Sequence, residues 1–593
     1  MLNIVCKKIG RRSAYAVSFD YNLDFIEKIK KLDKEERKWD PSEYYWEISA
    51  KGLFLLILQH KGNNTIFFDF GGESHKKIFL NLIEKIKETE KKKEEKKITL
   101  EKNKKEWVEF KENIETTYHQ YSDRLHKLLN PNIKLFPHQI TAVMYMNKVR
   151  NTLISHEMGL GKTVSSILFV EMNNFERVIV LAPNSLKFNY YNEVLKFTKS
   201  KPHIVNWNKN KYTIEESKYV IINYEFFNSK NKMKCDEKWK KLGITKIDAL
   251  VSDECQRLKN SQSNTYKNFK RIFSDKIFNK ETNKIFLSGT PAPNRAYELY
   301  NVLNQISPLE FNRKNDFYEQ YCGMTYDYWN GWGYVLNTEM QKLDELYEKI
   351  SPYTHRKRKK DVLKDLPDKS FQKIVLEMTP EEEKEHLSIE RDTANNIVPD
   401  IRPHHLTILM ELRKNLSKIK KNKIVDIVED IVSTGEKVVI VDFFKEPLRE
   451  LKKIFGDISV IHTGDQTIEE RGEAVKEFQN PNSKIKIFLG GLDVTKEGLT
   501  LTESSKMFLL TLPFVPGVYD QISDRLHRIG QKNAVNIYIP IFENTIDLLT
   551  LQLLDDKKTE LSKVMDNEDY VNEMTTDIMK NIFKHLTKKY GGN

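Results

Sequence analysis

Short apolar runs separated by stretches of helical periodicity recur in two regions of this sequence, and that alternation limits the possible folds more than any other feature. From Lys134 to about Ile306 the runs are Thr152 to Ser155, Val178 to Leu181, Tyr219 to Ile222, Ala249 to Val251 and Lys284 to Leu287. From Lys437 onward they are Lys437 to Val441, Val460 to His462, Lys486 to Leu489, Lys506 to Leu510 and Asn536 to Ile539. Strands that alternate with helices build parallel sheets covered on both faces. The fold class expected is therefore α/β, with two parallel-sheet lobes at 131–310 and 421–562, helical insertions between them at 311–420, and a helical tail at 563–593.

Residues 1–82 read differently, as a small α+β module. It has strand-like runs at Asn3 to Val5, Leu53 to Leu58 and Thr65 to Phe70, with an amphipathic helix around Leu23 to Leu32. Residues 83–130 are dominated by Lys and Glu at helical spacing and read as a charged connector. The longest apolar run, Leu53 to Leu58, falls far short of the roughly 18 residues needed to span a bilayer. No apolar stretch behind the basic N-terminus suits an export signal, so a cytoplasmic or nucleoid-associated protein is expected, nuclear in a eukaryote. The 4 cysteines lie far apart, which supports neither zinc nor a disulfide framework. A net charge of +12 pushes mildly toward a polyanionic partner.

The chemistry begins at His156-Glu-Met-Gly-Leu-Gly-Lys-Thr163, between the apolar run ending at Ser155 and the helical segment that follows. Glycines there let backbone N–H groups turn onto an anion, with Met158, Gly159, Leu160 and Gly161 forming the cradle. Lys162 would reach the β- and γ-phosphates and Thr163 would ligate Mg. The full phosphate-loop pattern has Gly where this chain has His156. Asp253-Glu254 follow another apolar run, which places Asp253 to hold Mg and Glu254 to orient or deprotonate an attacking water. An Asp-Glu pair that only caps a helix is the bland reading.

The ordered blocks Leu135 to Gln139, His156 to Thr163, Leu181 to Leu186, Asp253 to Asn260 and Leu287 to Pro291 resemble the Swi/Snf family of superfamily 2 ATPases. The resemblance implies RecA-like lobes, ATP and Mg, and double-stranded or forked DNA as partner. It implies that Gln139 reads the adenine edge and that Ser288-Gly-Thr290 couples the nucleotide site to the DNA groove. Pro183, Ser185, Lys187 and Asn260 would lie along that groove, as would Thr495 and Gly498 in the loop Gly490 to Thr500. Gln256 stands where the family usually has His, and Tyr190 where it often has Trp. The block Asp520 to Gln531 is similar to the family's last motif, which implies that Arg525 and Arg528, on one face if helical, are arginine fingers from the second lobe.

Tyr326 to Tyr334 and His355 to Pro367 resemble the annealing-helicase (HARP-type) branch, and residues 1–82 are similar to its N-terminal module. Trp329 and Trp332 would stack on bases, although such an aromatic run is more often a hairpin with its own small core. The basic cluster 355–360 reads as part of the helical connection between lobes. Together these features predict an ATP-driven translocase on double-stranded DNA. The alternatives are a strand-separating DNA or RNA helicase and a catalytically silent DNA-binding scaffold.

Overall fold

Every strand pairing in the two large sheets is parallel, and central strands such as Val178–Ala182, Ala249–Asp253 and Val438–Asp442 are buried along their length. This computed structural model describes residues 2–9, 14–32, 37–59, 66–130, 133–205, 214, 217–273, 282–327, 333–395, 402–496 and 498–568. The chain divides into two units, Met1–Val108 and Glu109–Asn593.

In the first unit, the strands Leu2–Ile9, Ala14–Phe19, Arg37–Asp40, Tyr45–Ser49 and Ile66–Asp69 form one mixed sheet. Its core gathers Ile4, Val17, Phe25, Ile29, Ile48, Leu53, Leu56, Phe79 and Ile83. The expected strand at Leu53 to Leu58 is instead the helix Ala50–Gln59. Its buried residues Leu53 and Leu56 are spaced three apart, and the Ser49 hydroxyl accepts from Gly52 N at 2.9 Å to cap its first turn. A six-residue apolar run fits either a buried strand or a buried helix, and here the strand just before it already occupies the sheet position. The charged connector belongs to a longer helix, Glu73–Leu128, whose first residues Phe79 and Ile83 are core.

In the second unit, the first lobe has a seven-stranded sheet in the order Thr354–Lys357, Asn151–His156, Asn283–Leu287, Ala249–Asp253, Val178–Ala182, Tyr219–Asn223, His203–Ile204. The second lobe has six strands in the order Lys369–Leu376, Val535–Phe542, Lys506–Leu509, Val438–Asp442, Ile487–Gly491, Ser459–His462. Val, Ile and Leu dominate because both faces of a parallel sheet are covered, leaving no solvent face to alternate toward. The helix Ile546–Asp566 serves both lobes: Leu551 and Leu554 pack into the second lobe's core, Val564 and Met565 into the first's. Glu560 on it accepts from Arg295 Nη1 and Ala296 N, each at 2.6 Å.

The segment read from sequence as a helical insertion is not wholly helical. Residues 323–327 and 333–341 form an antiparallel hairpin, while Trp329 and Trp332 lie outside the described residues. The basic cluster 355–360 is not a helical connection. Thr354–Lys357 is the edge strand of the first sheet, paired with Asn151–His156, and Lys369–Leu376 is the edge strand of the second. The linker between lobes is therefore only 358–368, and it leaves the first sheet beside the phosphate loop. Basic side chains on a short edge strand hide its period from sequence reading. Of the helical tail, residues 569–593 lie outside the described residues.

Three buried imidazoles hold that edge strand in place. His156 Nε2 and His355 Nδ1 share a 2.7 Å hydrogen bond, and His138 packs edge-on to His156 with ring centroids 5.6 Å apart. Burial keeps all three neutral: His355 is pushed down to about 3, and His156 lies well below the usual range, with His355, His138, Lys162 and Arg356 adding repulsion. The unfolded chain takes up protons below about pH 6.5 that the folded chain refuses, so stability falls as pH falls through that window. Each such imidazole steepens the loss by up to about 1.4 kcal/mol per pH unit. Thermal unfolding should shift to lower temperature from about pH 6.5 down to about pH 5 and be flat just above it, with a shallower slope in His355→Leu. An equal slope in that variant would contradict the assignment.

A candidate nucleotide site between the lobes

Three neighbouring strands, Asn151–His156, Asn283–Leu287 and Ala249–Asp253, end together at one edge of the first sheet. Open parallel sheets bind ligands outside the carboxyl ends of their strands. Here that edge brings together the phosphate loop, Ser288-Gly-Thr290 and the Asp253-Glu254 pair.

The loop enters the helix Lys162–Met172 through Gly161, which has φ +73°. A Cβ there would lie 2.3 Å from Gln139 Nε2, so only glycine brings the loop this close to the glutamine. Gln139 is itself placed by its Oε1, which accepts from Phe136 N at 3.0 Å. Leu160 is buried, and its carbonyl shares a 2.8 Å hydrogen bond with His138 Nε2, which ties the loop to the imidazole cluster. Tyr190 is buried against the same helix, 2.9 Å from Ser166 Oγ. It does there what a larger ring would otherwise do by packing.

The buried Lys162 ammonium donates to His156 O at 2.9 Å and Glu157 O at 3.4 Å. Burial lowers its pKa, while Glu254 and then Asp253 pull it back up. Asp253 is pushed up to about 7, first by burial and then by the charge of Glu254. Two adjacent carboxylates facing one buried lysine is an arrangement that a divalent cation relieves. Thr163 follows Lys162 in the first turn of the helix Lys162–Met172. Among the described residues no cluster of three or more His, Cys, Asp or Glu could hold a metal alone. A hydroxyl and a carboxylate such as those of Thr163 and Asp253 fit Mg, which takes one or two protein oxygens and completes its shell from phosphates and water.

Glu254 sits at φ +52°, a left-handed conformation costly for a residue with a Cβ. Its Oε2 accepts from Gln256 Nε2. Gln256 Oε1 accepts from Ser288 Oγ at 2.7 Å, and Ser288 Oγ in turn accepts from Thr290 N at 3.0 Å. Thr290 Oγ1 then accepts from Gln521 Nε2 at 3.1 Å, and Gln521 belongs to the second lobe. Gln256, standing where the family usually has His, makes the cross-connection itself.

Arg525 and Arg528 do not share a helix face. The helix Pro516–Ser523 ends before them, and both lie on the turn that follows. Arg525 is buried, donating to Lys496 O and Leu499 O with Nη2 4.0 Å from Met158 Sδ. Arg528 donates to Asp524 O and Thr500 Oγ1, both at 3.2 Å, and its Cγ lies 3.7 Å from where a Cβ on Gly159 would be. The second lobe thus places Arg528 directly over the phosphate loop of the first.

The groove residues are less uniform. Ser185 and Asn260 are exposed and Lys187 is half-buried, whereas Pro183 is buried and its carbonyl caps the turn at Leu186 and Lys187. Thr495 is fully buried against Gly490, where an added Cβ would lie 2.5 Å from its hydroxyl, so it cannot reach a strand at the surface. Gly498 is exposed, at φ +70°, and a Cβ on it would lie 3.0 Å from Leu186 Cδ2. That contact brings the two candidate groove loops together. Sequence reading missed Glu157, Lys359, Lys369 and Asp524, which surround the arginine turn. The one available signal was an acid inside an arginine-rich block.

Gly161→Ala should weaken ATP binding by about tenfold or more, since it combines ~1 kcal/mol of left-handed strain with a clash against Gln139. Titration with a fluorescent nucleotide checks this, and unchanged affinity would show that the loop does not hold the ligand.

The SNF2-related domain model matches residues 138–423, and the helicase conserved C-terminal domain model matches residues 420–530. An uncharacterized ATP-dependent helicase of Mycoplasma genitalium is 25% identical over 451 residues, covering 70% of this chain and 40% of its own. The human DNA annealing helicase and endonuclease ZRANB3 is 26% identical over 442 residues, covering 72% of this chain and 40% of its own. The chain thus spans about two fifths of the length of these relatives. The solved SWI2/SNF2 ATPase core of Sulfolobus solfataricus in complex with dsDNA matches with 22% identity and a TM-score of 0.35, over 78% of this chain and 98% of that one. The chain thus carries an SNF2-related domain followed directly by a helicase conserved C-terminal domain.

Proposed function

We propose that this protein hydrolyses ATP between its two lobes and uses their closing to move along double-stranded DNA. The observation that carries this reading is Arg528 of the second lobe lying over Gly159 in the first lobe's phosphate loop. A site assembled from two lobes couples each turnover to their relative movement.

In this reading Lys162 binds the β- and γ-phosphates, the loop N–H groups from Met158 to Gly161 hold the chain of phosphates, and Gln139 meets the adenine. Mg held by Thr163 and Asp253 would neutralise charge on the phosphate oxygens. Glu254 orients the attacking water and accepts its proton. Arg528 stabilises the charge that develops on the transferred phosphoryl group, an effect of about 10³ to 10⁵ in rate for such arginines. Arg525, held on the carbonyls of Lys496 and Leu499, braces the turn in this arrangement and turns to the phosphates on further closure. Hydrogen bonds from Glu254 through Gln256, Ser288 and Thr290 to Gln521 report the state of the site to the second lobe.

Double-stranded DNA would lie along the rim formed by Ser185, Lys187, Asn260 and Gly498, with phosphate contacts dominating. Binding is then insensitive to sequence and steeply weakened by salt. The human relative's name, a DNA annealing helicase and endonuclease, supports DNA as the partner, and forked or branched DNA is the structure proposed here. The first unit, with Trp39 exposed beside Trp46 at a ring distance of 5.3 Å, offers a stacking surface for it.

Steady-state hydrolysis with no nucleic acid, single-stranded DNA, duplex, forked DNA and RNA tests the proposal. Duplex or fork should stimulate most. Glu254→Gln and Arg528→Ala should lower the stimulated rate by about 10³-fold or more while DNA affinity changes by less than about threefold. Stimulation only by single strands or RNA would point to a strand-separating helicase, and normal turnover in Arg528→Ala would remove the arginine finger.

A further inference from the structure

We infer that Lys359, in the linker between the lobes, positions the arginine-bearing turn over the phosphate loop. This rests on the ATP-hydrolysing reading of the same site.

Lys359 leaves the first sheet next to the phosphate loop, because the edge strand Thr354–Lys357 runs parallel to Asn151–His156 with Lys357 opposite His156. The linker and the loop are stitched together there. Glu157 N donates to Lys357 O at 2.9 Å, and Lys359 N donates to Glu157 Oε2 at 2.8 Å. The side chain of Lys359, only 5% exposed, reaches the other lobe. Its Nζ lies 2.9 Å from Asp524 Oδ2 and donates to His527 O at 2.6 Å. Asp524 and His527 flank Arg525 and Arg528. One residue thus holds the phosphate loop by its backbone and the arginine turn by its ammonium.

The stems of Lys359 and Arg528 also share a floor. A Cβ on Gly159 would lie 3.9 Å from Lys359 Cε and 3.7 Å from Arg528 Cγ. The second oxygen of Asp524 takes Lys369 Nζ at 2.8 Å, and Lys369 Nζ also donates to Ser523 Oγ at 3.2 Å. Losing Lys359 therefore leaves the buried Asp524 paired, since a buried carboxylate is costly only when stripped of every partner. Lys359→Met should fold, with the methionine filling the space of the lysine stem. What it removes is the link between turn and loop. Lys369 grips the same carboxylate from the second lobe's own edge strand, and its hydrogen bonds among the described residues go to Ser523 and Asp524 of that lobe.

The test is duplex-stimulated hydrolysis by the full chain carrying Lys359→Met, Arg528→Ala, both changes, or Lys369→Met. A misplaced group costs up to about a hundredfold, so kcat of Lys359→Met should fall by about tenfold to a hundredfold, with nucleotide affinity within about threefold of wild type. If Lys359 acts through Arg528, the double variant should be within about twofold of Arg528→Ala alone. Lys369→Met should lose clearly less than Lys359→Met. If Lys359→Met does not fold, Glu157→Ala cuts the same tie at its other end and should give the same non-additivity with Arg528→Ala. Multiplicative losses, or a loss confined to nucleotide affinity, would overturn the inference while leaving the hydrolase reading intact. A wild-type chain without turnover on any nucleic acid would overturn the reading itself.

Discussion

A buried lysine facing two adjacent carboxylates at the carboxyl edge of a parallel sheet is the arrangement on which the rest of this structure depends. Lys162 and Asp253 are taken from water at the end of the strands that give the first lobe its core, with Glu254 half-buried beside them. Their mutual attraction offsets only part of the desolvation, as the upward push on Asp253 to about 7 records. The left-handed backbone at Glu254 belongs to the same economy, since strain of that kind persists where surrounding structure fixes a side chain for a task.

From that cluster two routes lead into the second lobe. One is the hydrogen-bond chain from Glu254 to Gln521, made of uncharged side chains at 2.7 to 3.1 Å from Gln256 onward. The other runs through the linker, where Lys359 joins Glu157 to the turn bearing Arg525 and Arg528. The helix Ile546–Asp566 adds a third connection, packing into both cores and holding Arg356 beside the phosphate loop through Asp566. The lobes are thus joined by polar contacts at the site and by one helix that adds both apolar packing and ion pairs. Polar contacts can be exchanged for phosphate oxygens at little cost, whereas the apolar contacts keep the lobes together throughout.

The parallel strands of both lobes were legible because burial on two faces leaves uninterrupted Val, Ile and Leu runs, as in Val178–Ala182 and Val438–Asp442. That the glycine loop and the acid pair lie together at strand ends was legible because each follows directly on such a run. Leu53 to Leu58 was not, since six apolar residues fit a strand and a helix equally and the Ser49 cap is a local detail. Thr354–Lys357 was hidden by its charges, although Arg356 and Lys357 sit on an edge where charge is tolerated. A spacing of three would put Arg525 and Arg528 on one face of a helix, but the helix ends at Ser523 and each guanidinium takes its own course. Thr495 shows the same limit: its hydroxyl suits a phosphate contact, and only the close approach of Gly490 shows that it faces inward.

The central claim, that both lobes contribute to one nucleotide site, is tested most directly by the position of the Arg528 guanidinium in a structure of the protein with Mg, ADP and a planar phosphate mimic. The account predicts that it leaves Thr500 Oγ1 and lies within about 3 Å of the mimic's oxygens or fluorines. A guanidinium still on Thr500 and Asp524, more than about 6 Å from the mimic with the lobes closed, would contradict it.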